Sequence, residues 1–409
     1  MNILKVFLFL AVSKAFSIHA QEDTLNVLFI GNSITYFNDM PQLFESIAEN
    51  QGHQMHVTTY APGGTGFVNH YVDPQVFQLF RNEVWDIVVL QPGSGESAGA
   101  SYPVDTTAKR GQVLLDSLYA YSPCARVYLY QIPYGVISPP DYSNYFSVQT
   151  MIKNVVSELA DSLEVQIIPA GEAAREYYTL HQNLLLHNAY GDIHPSLAGS
   201  FLTASTAYAT IFQDSVSDCT YYSTLVQDTV TQFFSIAENK VLNQLVDWRI
   251  NTYNLHSDFS VALNANTAVF TSHAANSSNL LWDFGDGTTS TEINPTRTFN
   301  DLGLYTVTLF VYNANGCIDS SAKVVLLSSA MLQEKSAVNG LIVFPNPATD
   351  FIDFSSEQLI RGVRIFNLAG DIVIATDEKH VYLEDIVSGL YIAEIQFNDH
   401  AIRVSIAKN

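Results

Sequence analysis

Two serines in this chain stand in surroundings that suit nucleophilic chemistry. Ser33 follows Gly31 and Asn32 directly behind the uncharged apolar run Val27–Ile30. A serine at the carboxyl end of a strand in a parallel sheet lies where such sheets place ligands. The same position is commonly filled by a serine whose oxygen caps the next helix. Ser97 lies in Gly95-Glu96-Ser97-Ala98-Gly99, which fits G-x-S-x-G, and Ser97, Asp192 and His194 fall in the order of an α/β-hydrolase triad. That elbow needs a strand immediately before it and a helix immediately after. Pro92–Gly95 intervene on one side, and Ala100–Thr106 carry Pro103 and no helical start on the other. The Ser97 loop is therefore expected to be a wall facing substrate, and Ser33 the better nucleophile. Either hydroxyl needs a neighbouring imidazole to take its proton during attack on a carbonyl, and N–H donors where the carbonyl oxygen becomes negative.

The elements that must hold such groups are readable from Thr24 to Phe212, where short β-rich runs alternate with helical ones. NVLFI, HQMHVTTY, WDIVVLQ, RVYLYQIP and VQIIPA read as strands; MPQLFESIAENQG, AKRGQVLLDSLYAYS and NVVSELADSLE read as helices. This alternation predicts a parallel sheet covered on both faces. The segment TLVQDTVTQFFSIAENKVLNQLVDWRI, ending at Ile250, has apolar residues at helical spacing. As a free linker it would expose Phe233, Phe234 and Trp248, so it is assigned to the same domain. After Asn254 the pattern becomes alternating β with Gly and Asn turns, which predicts a small β-sandwich. Ser328 to Ala337 reads as a linker.

Composition bounds these readings. The 409 residues are 47% hydrophobic and 14% charged, enough for two or three domains with proper cores. A net charge of -22 argues against nucleic acid or an anionic membrane surface as partner. Screening beyond roughly 8 Å at physiological salt leaves an acidic polysaccharide within reach. The opening MNILKVFLFLAVSKAFSIHAQ has a basic residue, a short apolar stretch and a small-residue ending, as a cleaved export signal does, so cleavage is expected near Ala20. Of the three cysteines at most one pair can bridge; Cys124 with Cys219 is expected because both precede the change of pattern after Asn254, leaving Cys317 free. His53, His56, His70, His181 and His187 lack metal-ligand spacing and are expected in loops or on the surface. No phosphate-binding glycine loop is present.

"GNSIT", Gly31 to Thr35, resembles the first block of the SGNH/GDSL hydrolases, and "GDIHPSLAGSFLTA", Gly191 to Ala204, resembles their last. The resemblance implies Ser33 as nucleophile and His194 as the base that takes its proton. It also implies an oxyanion hole built from the N–H groups of Ser33 and Gly64 and a side-chain amide. Gln91, at the end of "VVLQ", stands where Asn is commoner. The family's acid lies three residues before the histidine, where this chain has Gly191. Asp192, two before, is left either to reach the imidazole through a tighter turn or to yield that role to a backbone carbonyl.

"WDFGDG" followed by "GLYTVTLFVYNANG" resembles the PKD module, an immunoglobulin-like domain, with Arg297-Thr298-Phe299 where that family usually has His-x-Tyr. "VFPNPATDFIDF", "VRIFNLAGDIV" and "VSGLYIAEIQ" resemble the C-terminal sorting domain of the type IX secretion system. The expected organisation is a signal peptide over 1–20, a three-layer α/β SGNH hydrolase domain over 21–254, a PKD domain over 255–327, a linker over 328–339 and a sorting domain over 340–409. The last two domains are expected to be small β-sandwiches. These resemblances imply a cofactor- and metal-free esterase of a Gram-negative bacterium. It would reach the outside or the cell surface through the periplasm by the type IX machinery, with no membrane span in the mature chain. Its expected substrates are acyl groups on polysaccharides. The rival reading is a non-catalytic carbohydrate-binding or adhesion protein on a relic hydrolase fold, permitted by Gly191 and Gln91.

Overall fold

The computed structural model describes residues 24–137, 142–264, 266–327, 341–356, 358–398 and 400–408. The expected export signal and the linker over 328–339 lie outside the described residues. The chain divides into two compact units: Met1–Asp258 with His273–Leu281 and Leu309–Ser321, and Phe259–Ser272 with Trp282–Thr308 and Ala322–Asn409.

The first unit is built on strands β1 (Leu25–Ile30), β2 (Met55–Tyr60), β3 (Ile87–Leu90), β4 (Arg126–Tyr130) and β5 (Gln166–Ile168). They form one parallel sheet in the order β2-β1-β3-β4-β5. Val27–Ile30 and Ile87–Leu90 are buried throughout, as strands covered on both faces must be. The expected five strands and three-layer α/β class are those observed. Register sets the level of the loops: Ile30 lies opposite Tyr60 on one side and Leu90 on the other, so the chain leaves β1, β2 and β3 at one height. It moves from β1 to β2 and then across β1 to β3, which makes the exit of β1 a topological switch point.

Helices α1 (Ser33–Tyr36), α2 (Met40–Asn50), α3 (Phe67–His70), α4 (Pro74–Asn82), α5 (Ser94–Ser97) and α6 (Val104–Tyr119) come first. They are followed by α7 (Ser143–Leu163), α8 (Ala170–Leu180), α9 (Leu197–Phe212) and α10 (Gln227–Val241). Residues Ala198 to Ile211 of α9 are all buried. Ser205, Thr206 and Thr210 survive there because each hydroxyl donates to the carbonyl one turn back. Helix α10 packs on α9 and buries Phe233 and Phe234, while Trp248, in the turns beyond it, is buried and donates its indole N–H to Lys240 O at 2.7 Å. Among the described residues no helix is long and apolar enough to cross a membrane.

The cysteine expectation is corrected. Cys124 is bonded to Cys317, with Cα atoms 4.9 Å apart, and Cys219 is the free, buried thiol. The change of sequence pattern after Asn254 is not a limit of spatial neighbourhood, because Leu309–Ser321 belongs to the same unit as Cys124.

Beyond Asn254, β6 (Phe259–Asn264), β7 (Thr267–Ser272), β8 (Asn279–Asp283), β9 (Thr289–Ser290), β10 (Thr296–Thr298), β11 (Gly303–Tyr312) and β12 (Ile318–Leu327) form sheets ordered β10-β7-β6 and β12-β11-β8-β9. Trp282 is buried against Phe259 and Phe270, with ring centroids 5.0 and 5.3 Å away. Where His-x-Tyr is usual, Phe299 is buried against Phe284 and Arg297 pairs with Asp286 at 2.7 Å. The strands β13 (Leu341–Phe344), β14 (Phe351–Ser356), β15 (Gly362–Phe366), β16 (Ile372–Thr376), β17 (His380–Tyr382), β18 (Gly389–Gln396) and β19 (Ala401–Lys408) form sheets β13-β14-β17 and β16-β15-β18-β19. Ile352, Val363, Ile365 and Ile395 lie in the core of these sheets.

Candidate active site

The turn from β1 into α1 explains why Ser33 is available. Asn32 is the N-cap: its Oδ1 accepts the N–H of Ile34 at 3.0 Å and its Nδ2 donates to Thr65 O at 2.8 Å. The capping duty falls on Asn32, which leaves the Ser33 hydroxyl for another partner. That partner is His194, whose Nε2 lies 2.9 Å from Ser33 Oγ. Gly31 is required behind them, since a Cβ there would meet Thr35 Oγ1 at 2.2 Å and Gln91 Oε1 at 2.8 Å.

Asp192 completes the line. Its Oδ1 accepts from His194 Nδ1 at 2.6 Å and from the His194 backbone N–H at 2.9 Å. With Nδ1–H committed to the carboxylate, Nε2 is the nitrogen that accepts from the serine. The backbone N–H, then the imidazole, hold the Asp192 carboxyl below its ordinary pKa despite the opposing effect of burial. The turn that makes a two-residue spacing sufficient has Gly191 at φ +79, with its N–H bonded to Val136 O at 2.8 Å. An isolated bridge between His187 and Pro195 closes the loop's base.

The glycine loop after β2 places Gly64 at φ +74. The backbone N–H groups of Ser33 and Gly64 have no partner among the described residues. Gln91 departs from expectation. It is fully buried, its Nε2 donates to Pro92 O at 3.0 Å, and its Oε1 accepts from Asn32 N at 3.1 Å and Thr35 Oγ1 at 2.7 Å. One methylene longer than Asn, the side chain folds under the Ser33 turn and ties it together, so it presents no donor to the surface.

Ser97 is also fully buried, its hydroxyl 3.4 Å from Pro92 O. Its neighbour Glu96, which carries no signal in the sequence, accepts the N–H groups of Phe67, Val68 and Gly93 at 2.8, 3.0 and 2.9 Å and pairs with Arg110 at 3.2 Å. Glu96 thereby fastens the glycine loop to the loop after β3. Between those loops lies an open hollow of about 250 Å³, lined by Asn32, Gly64, Asn69, Gly93, Ser101 and Tyr102 among others.

Two histidines expected in loops or on the surface are buried. His70 Nε2 donates to Gly31 O at 3.0 Å, and burial lowers its pKa. His187 is hydrogen-bonded through Nδ1 to the Tyr178 hydroxyl at 2.6 Å, and burial lowers its pKa to about 4. Neither position carries a periodic pattern that would reveal this. Among the described residues, no three His, Cys, Asp or Glu side chains gather as metal ligands would.

Residues 257–326 match the PKD domain family, and residues 342–408 match the secretion system C-terminal sorting domain. The sorting domain marks the chain for secretion. A curated relative, collagenase ColA of Bacillus cereus, is 58% identical over 36 residues, which is 9% of this chain and 4% of that protein's length. Similar solved structures include a DUF4886 family protein from Bacteroides uniformis: 19% identity, 54% of this chain, 95% of that one, TM-score 0.47. An acetylxylan esterase from Geobacillus stearothermophilus is 15% identical over 44% of this chain and 90% of its own, with TM-score 0.36. The PKD1 domain of the Vibrio cholerae metalloprotease PrtV is 28% identical over 18% of this chain and 98% of its own, with TM-score 0.18.

Proposed function

We propose that the chain is a secreted serine esterase whose Ser33, His194 and Asp192 act as nucleophile, general base and orienting acid. The observation that carries this reading is the unbroken pair of hydrogen bonds from Ser33 Oγ through the imidazole to Asp192 Oδ1. Ser33 Oγ attacks the ester carbonyl carbon while His194 Nε2 takes its proton. The carbonyl oxygen becomes an oxyanion that the N–H groups of Ser33 and Gly64 stabilise. The tetrahedral adduct collapses, the imidazolium protonates the leaving alkoxide, and the alcohol departs from an acyl-enzyme. Water, deprotonated by His194, then attacks the acyl carbon; the adduct collapses, the imidazolium returns its proton to Ser33 Oγ, and the carboxylic acid departs. Asp192 remains ionised and holds the imidazole in the required tautomer throughout.

The substrates proposed are acyl groups on polysaccharides. The hollow that reaches Asn32 and Gly64 supports this, because its glycine backbone and the polar groups of Asn32, Asn69, Ser101 and Tyr102 suit a hydroxyl-rich alcohol better than a lipid chain. The proposed hydrolase domain spans 21–254, joined to the PKD domain over 255–327 and the sorting domain over 340–409.

The test is hydrolysis of p-nitrophenyl acetate and release of acetate from acetylated glycans by the wild-type chain and by Ser33→Ala. Turnover abolished by the substitution is expected. No hydrolysis across a broad ester panel, with tight glycan binding, overturns the esterase and favours an adhesin.

A further inference from the structure

The two bonds that hold His194 leave one freedom unrestrained. Asp192 and Ser33 engage the two nitrogens on the rim of the imidazole, at 2.6 and 2.9 Å. Neither opposes tilting of the ring about the line that joins them. What lies against the face of the ring is Phe37, whose centroid is 4.3 Å from that of His194 with the planes inclined at 22°.

Phe37 comes from a single 3-10 turn, Phe37–Asp39, between α1 and α2. The turn has an unusual backbone, since Asn38 and Asp39 are consecutive left-handed residues at φ 54 and 51 and neither is glycine. Such a conformation persists where surrounding bonds over-determine it. Here Asn38 Nδ2 donates to Pro195 O and to Ser200 Oγ, both at 3.0 Å, and Ser200 Oγ donates to Phe37 O at 3.1 Å. Asn188 Nδ2 reaches the same Pro195 carbonyl at 3.1 Å. The residue immediately after His194 is thus tied to the turn that carries the ring stacked on it.

We propose that Phe37 and Asn38 are positioning residues for the general base: Asn38 ties the turn to the His194 loop, and Phe37 holds the imidazole in the plane shared by Ser33 and Asp192. This rests on the proposed roles of Ser33, His194 and Asp192. The imidazole becomes cationic as it takes the serine proton, and the face of an aromatic ring attracts that cation more than the neutral ring. The benefit therefore appears in the transition state and acts on kcat rather than on KM.

The experiment compares Phe37→Leu, Phe37→Tyr and Asn38→Gly in the full chain, each checked for folding by circular dichroism. Two rates are read: kcat and KM on p-nitrophenyl acetate, and the rate at which a fluorophosphonate labels Ser33. Phe37→Leu is expected to lower kcat and the labelling rate together by about five- to thirtyfold, with KM within about twofold. Phe37→Tyr keeps the ring and is expected to recover to within about threefold of wild type. Asn38→Gly tolerates the left-handed backbone without the amide, so it is expected to fold normally and still lose rate. Phe37→Leu within about twofold of wild type in both rates, a loss confined to KM, or equal losses in the Leu and Tyr variants overturns the inference. A wild-type chain that neither hydrolyses the ester nor labels at Ser33 overturns the underlying reading and the inference with it. An active, labelled wild type with an unimpaired Phe37→Leu overturns the inference alone.

Discussion

One oxygen of Asp192 serves His194 twice, accepting the backbone N–H at 2.9 Å and Nδ1 at 2.6 Å. The same atom thus sets the loop's conformation and the imidazole's tautomer. Asp192→Asn is expected to lower kcat by up to about 10⁴, the scale seen when a triad carboxylate becomes an amide, with His194→Ala as the severe reference. Because the carboxyl is held below its ordinary range, it stays ionised in mild acid. A variant within about tenfold of wild type removes Asp192 from the mechanism.

Glu96 and Ser97 are adjacent, and opposite outcomes are expected from them. Ser97 is buried with one long contact to Pro92 O, so Ser97→Ala is expected to keep most activity. Glu96→Ala strips a buried carboxylate from three backbone donors and strands Arg110, which is expected to cost about 3–5 kcal/mol by urea unfolding. Loss of turnover in Ser97→Ala equal to that in Ser33→Ala would reassign the nucleophile.

Acid should weaken the fold through His187. Its pKa falls from 6.5 to about 4 on burial, so the unfolded chain binds the proton more readily across that interval. Stability is intact above about pH 6.5 and declines as pH falls toward 4, by on the order of 3 kcal/mol from this group. Denaturation midpoints of wild type and His187→Gln at pH 7 and 4.5 measure the effect, and the variant's acid decrement should be the smaller.

The Cys124–Cys317 bond closes a separation of 193 residues, and a crosslink of that reach chiefly restricts the unfolded chain. Cys124→Ser or Cys317→Ser is expected to cost about 2–5 kcal/mol. Both variants should show two free thiols per chain after denaturation in a thiol assay. Wild type without reductant should show one, Cys219.

The strands and the Ser33 and His194 blocks are legible because each depends on local sequence: β-branched runs behind glycine turns, and short motifs at strand and helix ends. Gln91 escapes such reading for a different reason. Whether an amide faces a cleft or folds under a turn depends on Asn32 and Thr35 approaching from the turn after β1 and from α1, and no spacing encodes that. The disulfide escapes it similarly, since three cysteines do not specify a pairing and the expected one assumes that a change of composition bounds contact. The burial of His70 and His187 and the stacking of Phe37 are tertiary facts with no periodic signature.

Deleting Leu341–Asn409 removes the sorting domain and none of the residues of the proposed site. The truncated chain is expected to hydrolyse esters normally when purified but to accumulate in the periplasm, as immunoblotting of medium, surface and periplasmic fractions would reveal. Normal delivery to the surface would show that the address lies elsewhere.

The serine and the histidine that face one another at 2.9 Å are 161 positions apart. Almost the whole α/β sheet is synthesised between them, so a nascent or threaded chain holds both groups without bringing them together. The proposed activity is in this sense a late property. Under the proposed mechanism, a segment that lacks either Ser33 or His194 is expected not to hydrolyse esters.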